Sequence, residues 1–534
     1  MPIEATRVIG LETEFGILDA EHKSANPIVL STEVVNSLAE FGAAADKSAS
    51  NWDYSGEDPL QDARGFHLER AAAHSSQLTD SGAKYGTSVA AEMAFLPRPR
   101  PEELRLSRVA NTVLANGARF YVDHAHPEYS APEAASPRAA VLWDRAGEVI
   151  AQRAMQKLAE QGKQYVLYKN NVDGKGASYG AHENYLLSRR VDFATIVRYL
   201  TPFLATRQIF CGSGRLGIGQ KSEQANAFQI AQRADYIEND VGLETTFNRP
   251  LINSRDEPHA PANYRRLHLI NGDANQFDIS TFLKVGTTSL VLGLLESGNI
   301  PLSLEAATLT DPVAATWQIS HDLSLRAPVE MQDGTAKTAV DIQEMYLEAV
   351  RDEIEKNGNK DSETLEIIDL WQQTLDALRT DIFSLATQVE WIAKYQLLQS
   401  WQHKYGQSDL GEKLRALDLQ WHDLRPEKSV VQKLRQAGRV KQLFSDAEVQ
   451  WAAANPPSQT RAYVRGSLIK NFPAGVAAAG WGGIVLDIPE NPQLVRIPLL
   501  DPQPKNLAEY RSWIENSSSI EEFFQLYSKQ GYGA

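Results

Sequence analysis

NGARFYVDHAHPEYSAPE, residues 116–133, contains a strand whose two faces differ in kind. Over 118–123, Ala118, Phe120 and Val122 alternate with Arg119, Tyr121 and Asp123. Successive side chains of a strand point to opposite faces. The spacing therefore gives one apolar face and one that carries a cation, a phenol and a carboxylate. His126, Glu128 and Glu133 follow directly. On a single strand such a polar face says little, but the pattern recurs.

Upstream, IGLETEFG (9–16) places Glu12 and Glu14 on one strand face. Two carboxylates at i and i+2 repel unless a cation lies between them. An oxygen-rich set suits magnesium, with phosphate completing its shell. Downstream, YVLYKNNVD (165–173) runs into the small-residue loop GKGASYG (174–180) and then AHENYLL (181–187). There His182 and Asn184 alternate with Glu183 and Tyr185. The Gly/Lys/Ser loop has the small residues and donors of a turn that approaches phosphate. Three polar-faced strands from separate parts of the chain predict a concave sheet with a metal–nucleotide site on its inner face.

Composition bounds the classes. By length alone, 534 residues would allow about three or four domains. A hydrophobic fraction of 43%, with 10 Trp, 18 Tyr and 17 Phe, can build a large core. The net charge of −15, with no strongly basic segment, argues against nonspecific nucleic-acid binding. The single cysteine, Cys211, excludes an internal disulfide framework and fits a reducing cytoplasm. It is expected as a buried structural thiol. The first residues carry acid and no apolar secretory stretch, and the longest apolar-leaning run, 285–295, is too short to span a bilayer. The expectation is a soluble cytoplasmic protein with no membrane partner.

Periodicity predicts a helix from about 31, and helices over 137–162 and 192–207 between sheet strands that continue to about 275. Residues 280–425 read as mainly helical: Ile342, Met345, Tyr346, Ala349, Val350 and Ile354 recur at helical spacing and are core. Short strands are expected at 483–488 and 494–497, with a final helix after Ser519. The polar stretch 45–82 interrupts the sheet; Trp52, Tyr54, Leu60 and Phe66 within it point to a functional insertion. GSGRLG (212–217) satisfies a dinucleotide-binding spacing, but Ile218-Gly219-Gln220-Lys221 is a poor helix start. It reads as a glycine-rich loop bordering the site, and a Rossmann domain is rejected.

These segments resemble the Pup deamidase/depupylase family, which acts on the prokaryotic ubiquitin-like protein Pup. Its sister is the Pup ligase, within the glutamine synthetase-like carboxylate–amine ligase superfamily. The resembling runs are IGLETEFG, WDYSGEDPLQDARGF (52–66), 116–133, 168–186, GSGRLGIG (212–219), 255–275, TRAYVRG (460–466) and LVRIP (494–498), almost end to end. The ligase has a glycine-bearing, one-residue-longer approach to its HPEY and lacks the 45–82 insertion. DHAHPEY (123–129) and the insertion both favour the hydrolase. Ala234 and Ser467 stand where the family is expected to have serine and glutamate.

The resemblance implies an α+β, glutamine synthetase-like fold: a curved, mostly antiparallel sheet cradle with packed helices. Residues 1–429 would form the catalytic domain and 430–534 a small domain covering the nucleotide. It implies magnesium on Glu12, Tyr121 and Glu128, with Glu14 a further ligand and His182 a ligand or phosphate contact. Arg119, Arg233 and Trp481 would bind ATP, and Asp123 would be catalytic, as nucleophile or as general base. Pup is acidic and disordered, so a basic groove is expected from Arg255, Arg265, Arg266 and His268, divided in some way between phosphate and the Pup tail. Pup and pupylated proteins are the expected partners of a monomer. The ligase reaction and a non-catalytic sensor are the alternatives.

Overall fold

A computed structural model describes residues 3–22, 24–38, 51–73, 93–98, 110–173, 176–358, 361–405 and 410–529. Its centre is a six-stranded sheet built from β1 (Ile9–Glu14), β2 (Asn111–Val113), β3 (Arg119–Asp123), β4 (His126–Ser130), β5 (Ala181–Ser188) and β6 (Tyr264–Leu269). The strand order is β6-β5-β1-β4-β3-β2, and every pairing is antiparallel. One-sided polarity is what an antiparallel sheet tolerates, because one face can be packed and the other left open.

The packed face rests on two helices. α1 (Pro137–Glu160) begins where Ser136 accepts a hydrogen bond from the Ala139 N–H and Pro137 occupies the first turn. It lies against β1, and α2 (Asp278–Ser297) lies against β5. Among the described residues, α2 alone is long and apolar enough to cross a membrane, and its apolar window is wholly buried inside the protein. Gly298, at φ +74°, ends it in a left-handed cap. Further helices, among them Ala339–Asn357 and Ser362–Thr380, thicken this layer and give the helical 280–425 region.

Three expectations need correction. The first helix is Pro27–Ser37, starting earlier than 31 because Asn26 caps it and Pro27 sits in its first turn. Only 212–214 of the GSGRLG segment is loop: Arg215–Ile218 is a strand in a hairpin with Gln224–Gln229, and no helix follows. The boundary at 430 is not clean: the five-stranded C-terminal sheet takes Asn51–Trp52 alongside Val476–Ala479, and Ala94–Leu96 alongside Leu494–Pro498. The insertion thus threads into the small domain, a pairing between residues more than 400 apart that no local pattern announces. Residues 45–50 and 74–82 of the insertion, and Gly174 and Lys175 of the Gly/Lys/Ser loop, lie outside the described residues.

Candidate functional site

Register brings the polar faces together. Glu12 pairs with His182 on one side and Ser130 on the other, Glu14 with Glu128, and Glu128 in turn with Tyr121. Arg119 pairs with Ser130, Asp123 with His126, and Asn184 with His268. Residues opposite one another in a ladder share a face. Glu12, Glu14, Arg119, Tyr121, Asp123, Glu128, His182, Arg266 and His268 therefore all lie on the face turned away from α1 and α2.

Two groups on this face have metal-ligand spacing, each with its donor atoms within 4.8 Å of one another: Glu14, Asp123 and Glu128, and Glu12, His182 and His268. Glu128 is almost fully buried, and its Oε1 has no hydrogen-bond partner. Burial, and then the charges of Asp123, Glu12 and Glu14, push its carboxyl well above the usual range. Three carboxylates this close are destabilised unless positive charge joins them, so the donor set fits a hard divalent cation. Gly180 permits the packing, since a Cβ there would collide with Glu14 Oε1 and His182 Nε2. Its N–H donates to Glu14 at 2.7 Å.

Glu12 is a different kind of carboxylate. Burial opposes its charge, but His182 (Nδ1 to Oε2, 3.0 Å), Arg266 and Asn184 (Nδ2 to Oε1, 2.9 Å) hold it at about 2. Asp123 is also kept below its ordinary value: burial opposes ionisation, while His124, His182 and Arg119 favour it. Asp123 is thus an anion at neutral pH, as a nucleophile or base must be. Tyr121 stays a neutral phenol, because burial and Glu128 raise it well above 10.

Arg119 sits in an aromatic cage. Its guanidinium carbon is 3.8 Å from the Tyr121 ring centroid, 4.2 Å from Trp52 and 5.6 Å from Tyr54. Its Nε donates to Asn111 Oδ1 at 2.9 Å. Trp52 and Tyr54 come from the insertion, which is also stitched to the segment leading into β6 by Ala63 N–H to Ser254 O (2.7 Å) and Asp256 N–H to Gln61 O (2.8 Å). Trp52 donates to Glu57 at 2.6 Å. Burial, with Glu257 adding to it against Arg119 and Arg255, pushes Glu57 up to about 7. The docked state therefore holds a proton on Glu57 more tightly than the free segment does, and docking weakens as pH rises from about 4.5 to 7. Hydrogen exchange across 51–73, corrected for its intrinsic pH dependence, should show opening that increases through this window. Glu57→Gln should abolish the step.

A cleft of about 540 Å³, including its mouth, separates the inner face from the C-terminal segment; Gly10, Glu12, Asn184, His259, Arg266 and Trp481 line it. Trp481 meets Trp52 edge-on at 5.0 Å between centroids, and the Arg465 guanidinium lies 5.0 Å from the Trp481 ring centroid. Arg266 Nη1 donates to Asn184 Oδ1 (2.6 Å), and His268 Nδ1 lies 2.8 Å from the same oxygen. These two residues belong with Glu12 and not to a separate basic groove. Arg255 lies near Glu257 (3.9 Å) and Glu57, with its buried Nε unpaired. Arg265 is on the wrong side: it pairs with Leu187, on the packed face, and its guanidinium lies 5.7 Å from the Phe193 ring centroid. Period-2 alternation separates it from Arg266.

Arg233 is fully buried, with Nε 3.3 Å from Ser178 Oγ. Arg249, which the sequence reading missed, donates to Ser178 O at 2.6 Å. Burial, and then Arg249, lower Arg233 to about 9. Arg233 also donates to Ile270 O and Arg249 to Thr245 O, but among the described residues neither forms a salt bridge, so two buried cations near Glu14 have no directly paired carboxylate, a charge state suited to phosphate oxygens. Cys211 is buried and pushed up to about 12 by burial, as a structural thiol should be. At the wall of the cleft, Glu133 receives hydrogen bonds from Arg461 (2.7 Å) and Arg465. This fastens the 460–466 segment to the end of β4.

Comparison with known proteins agrees with this geometry. The profile of the family described as Pup-ligase protein matches residues 7–485. The depupylase of Acidothermus cellulolyticus is 45% identical over 501 residues, covering 93% of this chain and 94% of that one. The Pup deamidase/depupylase of Mycolicibacterium smegmatis is 42% identical over 522 residues, covering 97% and 99%. The Pup–protein ligase of Rhodococcus opacus matches less of the chain: 39% identity over 371 residues, 68% of this chain and 80% of the ligase. Among solved structures, the complex between Pup and its ligase PafA superposes with a TM-score of 0.72 at 28% identity, covering 99% of this chain and 93% of that one. PafA in complex with ADP gives 0.68 at 30%, covering 88% and 100%. With an α+β, glutamine synthetase-like sheet whose open face gathers carboxylates and arginines, the chain belongs to the Pup-ligase protein family.

Proposed function

We propose that this protein is a depupylase and Pup deamidase. It cleaves the isopeptide bond between the C-terminal side chain of Pup and a target lysine, and converts a C-terminal glutamine of Pup to glutamate. The observation that carries the reading is the cluster of Glu14, Asp123 and Glu128 beside the anion-accepting Arg119 and Arg233. It occurs in a chain whose near-full-length relatives are named depupylases.

Glu14 and Glu128 would hold Mg2+, with Glu12, His182 and His268 offering a second set of donors. ATP would bind in the cleft, where Trp481 would pack against it and Arg119, Arg233 and Arg249 would supply positive charge for its phosphates. When bound, the cation polarises the scissile carbonyl as a Lewis acid. The chain's own groups do the rest. Asp123 either attacks the carbonyl carbon, expelling the amine as it takes up a proton and leaving an anhydride that water opens, or removes a proton from the attacking water. The guanidinium groups stabilise the oxyanion. ATP stays bound and is not spent once per bond. This chemistry belongs to a reducing, nucleotide-rich cytoplasm.

Incubation of a purified lysine-linked Pup conjugate with Mg2+ and ATP, followed by intact mass, should release free Pup and free target. Nucleotide followed in the same tube should fall far below one ATP per bond cut. An untouched conjugate, with Pup ending in glutamate joined to lysines as ATP disappears, would make the protein a ligase.

A further inference from the structure

Asp123 ends β3, and two residues, His124 and Ala125, turn the chain into β4. The preferred residues of such a turn are Asn and Gly, because its backbone is left-handed. His124 instead takes φ +51°, a conformation that strains most L residues. Adjacent side chains on a strand point apart, yet the left-handed turn brings His124 Nδ1 to 2.7 Å from Asp123 Oδ2. Ser31 Oγ, donating to Ala125 O at 2.8 Å, braces the same turn. Rotation of an aspartate carboxylate about its last bond is broad and nearly two-fold. A charge-assisted hydrogen bond to one oxygen removes that freedom.

We propose that His124 is a positioning residue for the Asp123 carboxylate. Its Nδ1–H holds Oδ2, so that the remaining oxygen faces Glu14, Glu128 and the scissile carbonyl. The inference rests on the depupylase reading, in which Asp123 is the reacting group.

Steady-state cleavage of the lysine-linked Pup conjugate by three proteins tests it. His124→Gly keeps the turn and removes the donor; kcat should fall about 10- to 100-fold with KM within about two-fold of wild type. His124→Asn keeps the left-handed tolerance and places an amide N–H near the former Nδ1; it should restore kcat to within about five-fold of wild type. Equilibrium binding of ATP should be equal in all three. A Gly variant with wild-type kcat would make His124 a turn residue only. An Asn variant as slow as the Gly variant would also overturn the assignment, since the donor would then not be what matters. Failure of the wild-type protein itself to cleave would overturn the depupylase reading and this inference with it.

Discussion

Asp123→Asn abolishes turnover of a Pup–lysine conjugate, by at least about 10³-fold, while ATP binding is retained. The substitution is nearly isosteric and sits at a partly exposed strand end, so the fold has little reason to change. The amide can neither attack a carbonyl nor accept a proton at neutral pH, so both candidate roles fail together. One negative charge also leaves a group in which burial and the acidic neighbours push the Glu128 carboxyl well above its usual range. His124, His182 and Arg119 lose the anion they favour, which offsets that relief, so the variant should melt close to wild type. Intact-mass kinetics and equilibrium binding of ATP, run on the same preparation, check both halves. Cleavage near the wild-type rate would move the chemistry to another residue.

Glu133→Gln should cost about 3 kcal/mol of stability and loosen the C-terminal sheet first. Glu133 neutralises two buried guanidinium groups, those of Arg461 and Arg465, and both are almost completely enclosed. Losing its charge leaves two buried cations without a counterion, which is far more costly than losing a surface pair. Burial raises the Glu133 carboxyl, but the two arginines outweigh it and hold the group at about 2. A depressed folded-state value contributes stability in full above about 4.5 and loses it as pH falls toward 2. Urea unfolding at pH 7 should therefore separate wild type from the variant by about 3 kcal/mol, and the gap should close between pH 4.5 and 2. Limited proteolysis should cut the variant first near 456–460. Equal unfolding curves at pH 7 would mean that the clamp contributes nothing net.

Much of the site was legible before any tertiary structure. Alternation in 118–123, 9–14 and 181–187 placed Arg119, Tyr121, Asp123, Glu12, Glu14 and His182 on polar faces, and the ladders join those faces into one. Other residues gave no such signal. Arg249 lies in no periodic pattern, and Glu57 sits in a polar insertion where one acid looks like the next. Arg265 and Arg266 are alike in type and adjacent in sequence. Only the pairing of Arg265 with Leu187 tells which of them reaches the site.

The amino-acid sequence by itself determined which side chains share a strand face, because the two-residue period is a property of the backbone and needs no distant partner. It also determined, through resemblance over nearly its full length, the family and its chemistry. Tertiary structure alone decided which faces meet. The order β6-β5-β1-β4-β3-β2 sets Glu14 opposite Glu128 and Glu12 opposite His182, pairings across more than 100 residues. The same long-range packing brings Trp52 and Tyr54 over Arg119, and Arg461 and Arg465 onto Glu133. Such contacts depend on register and layer packing summed over the whole chain, and no local window contains them.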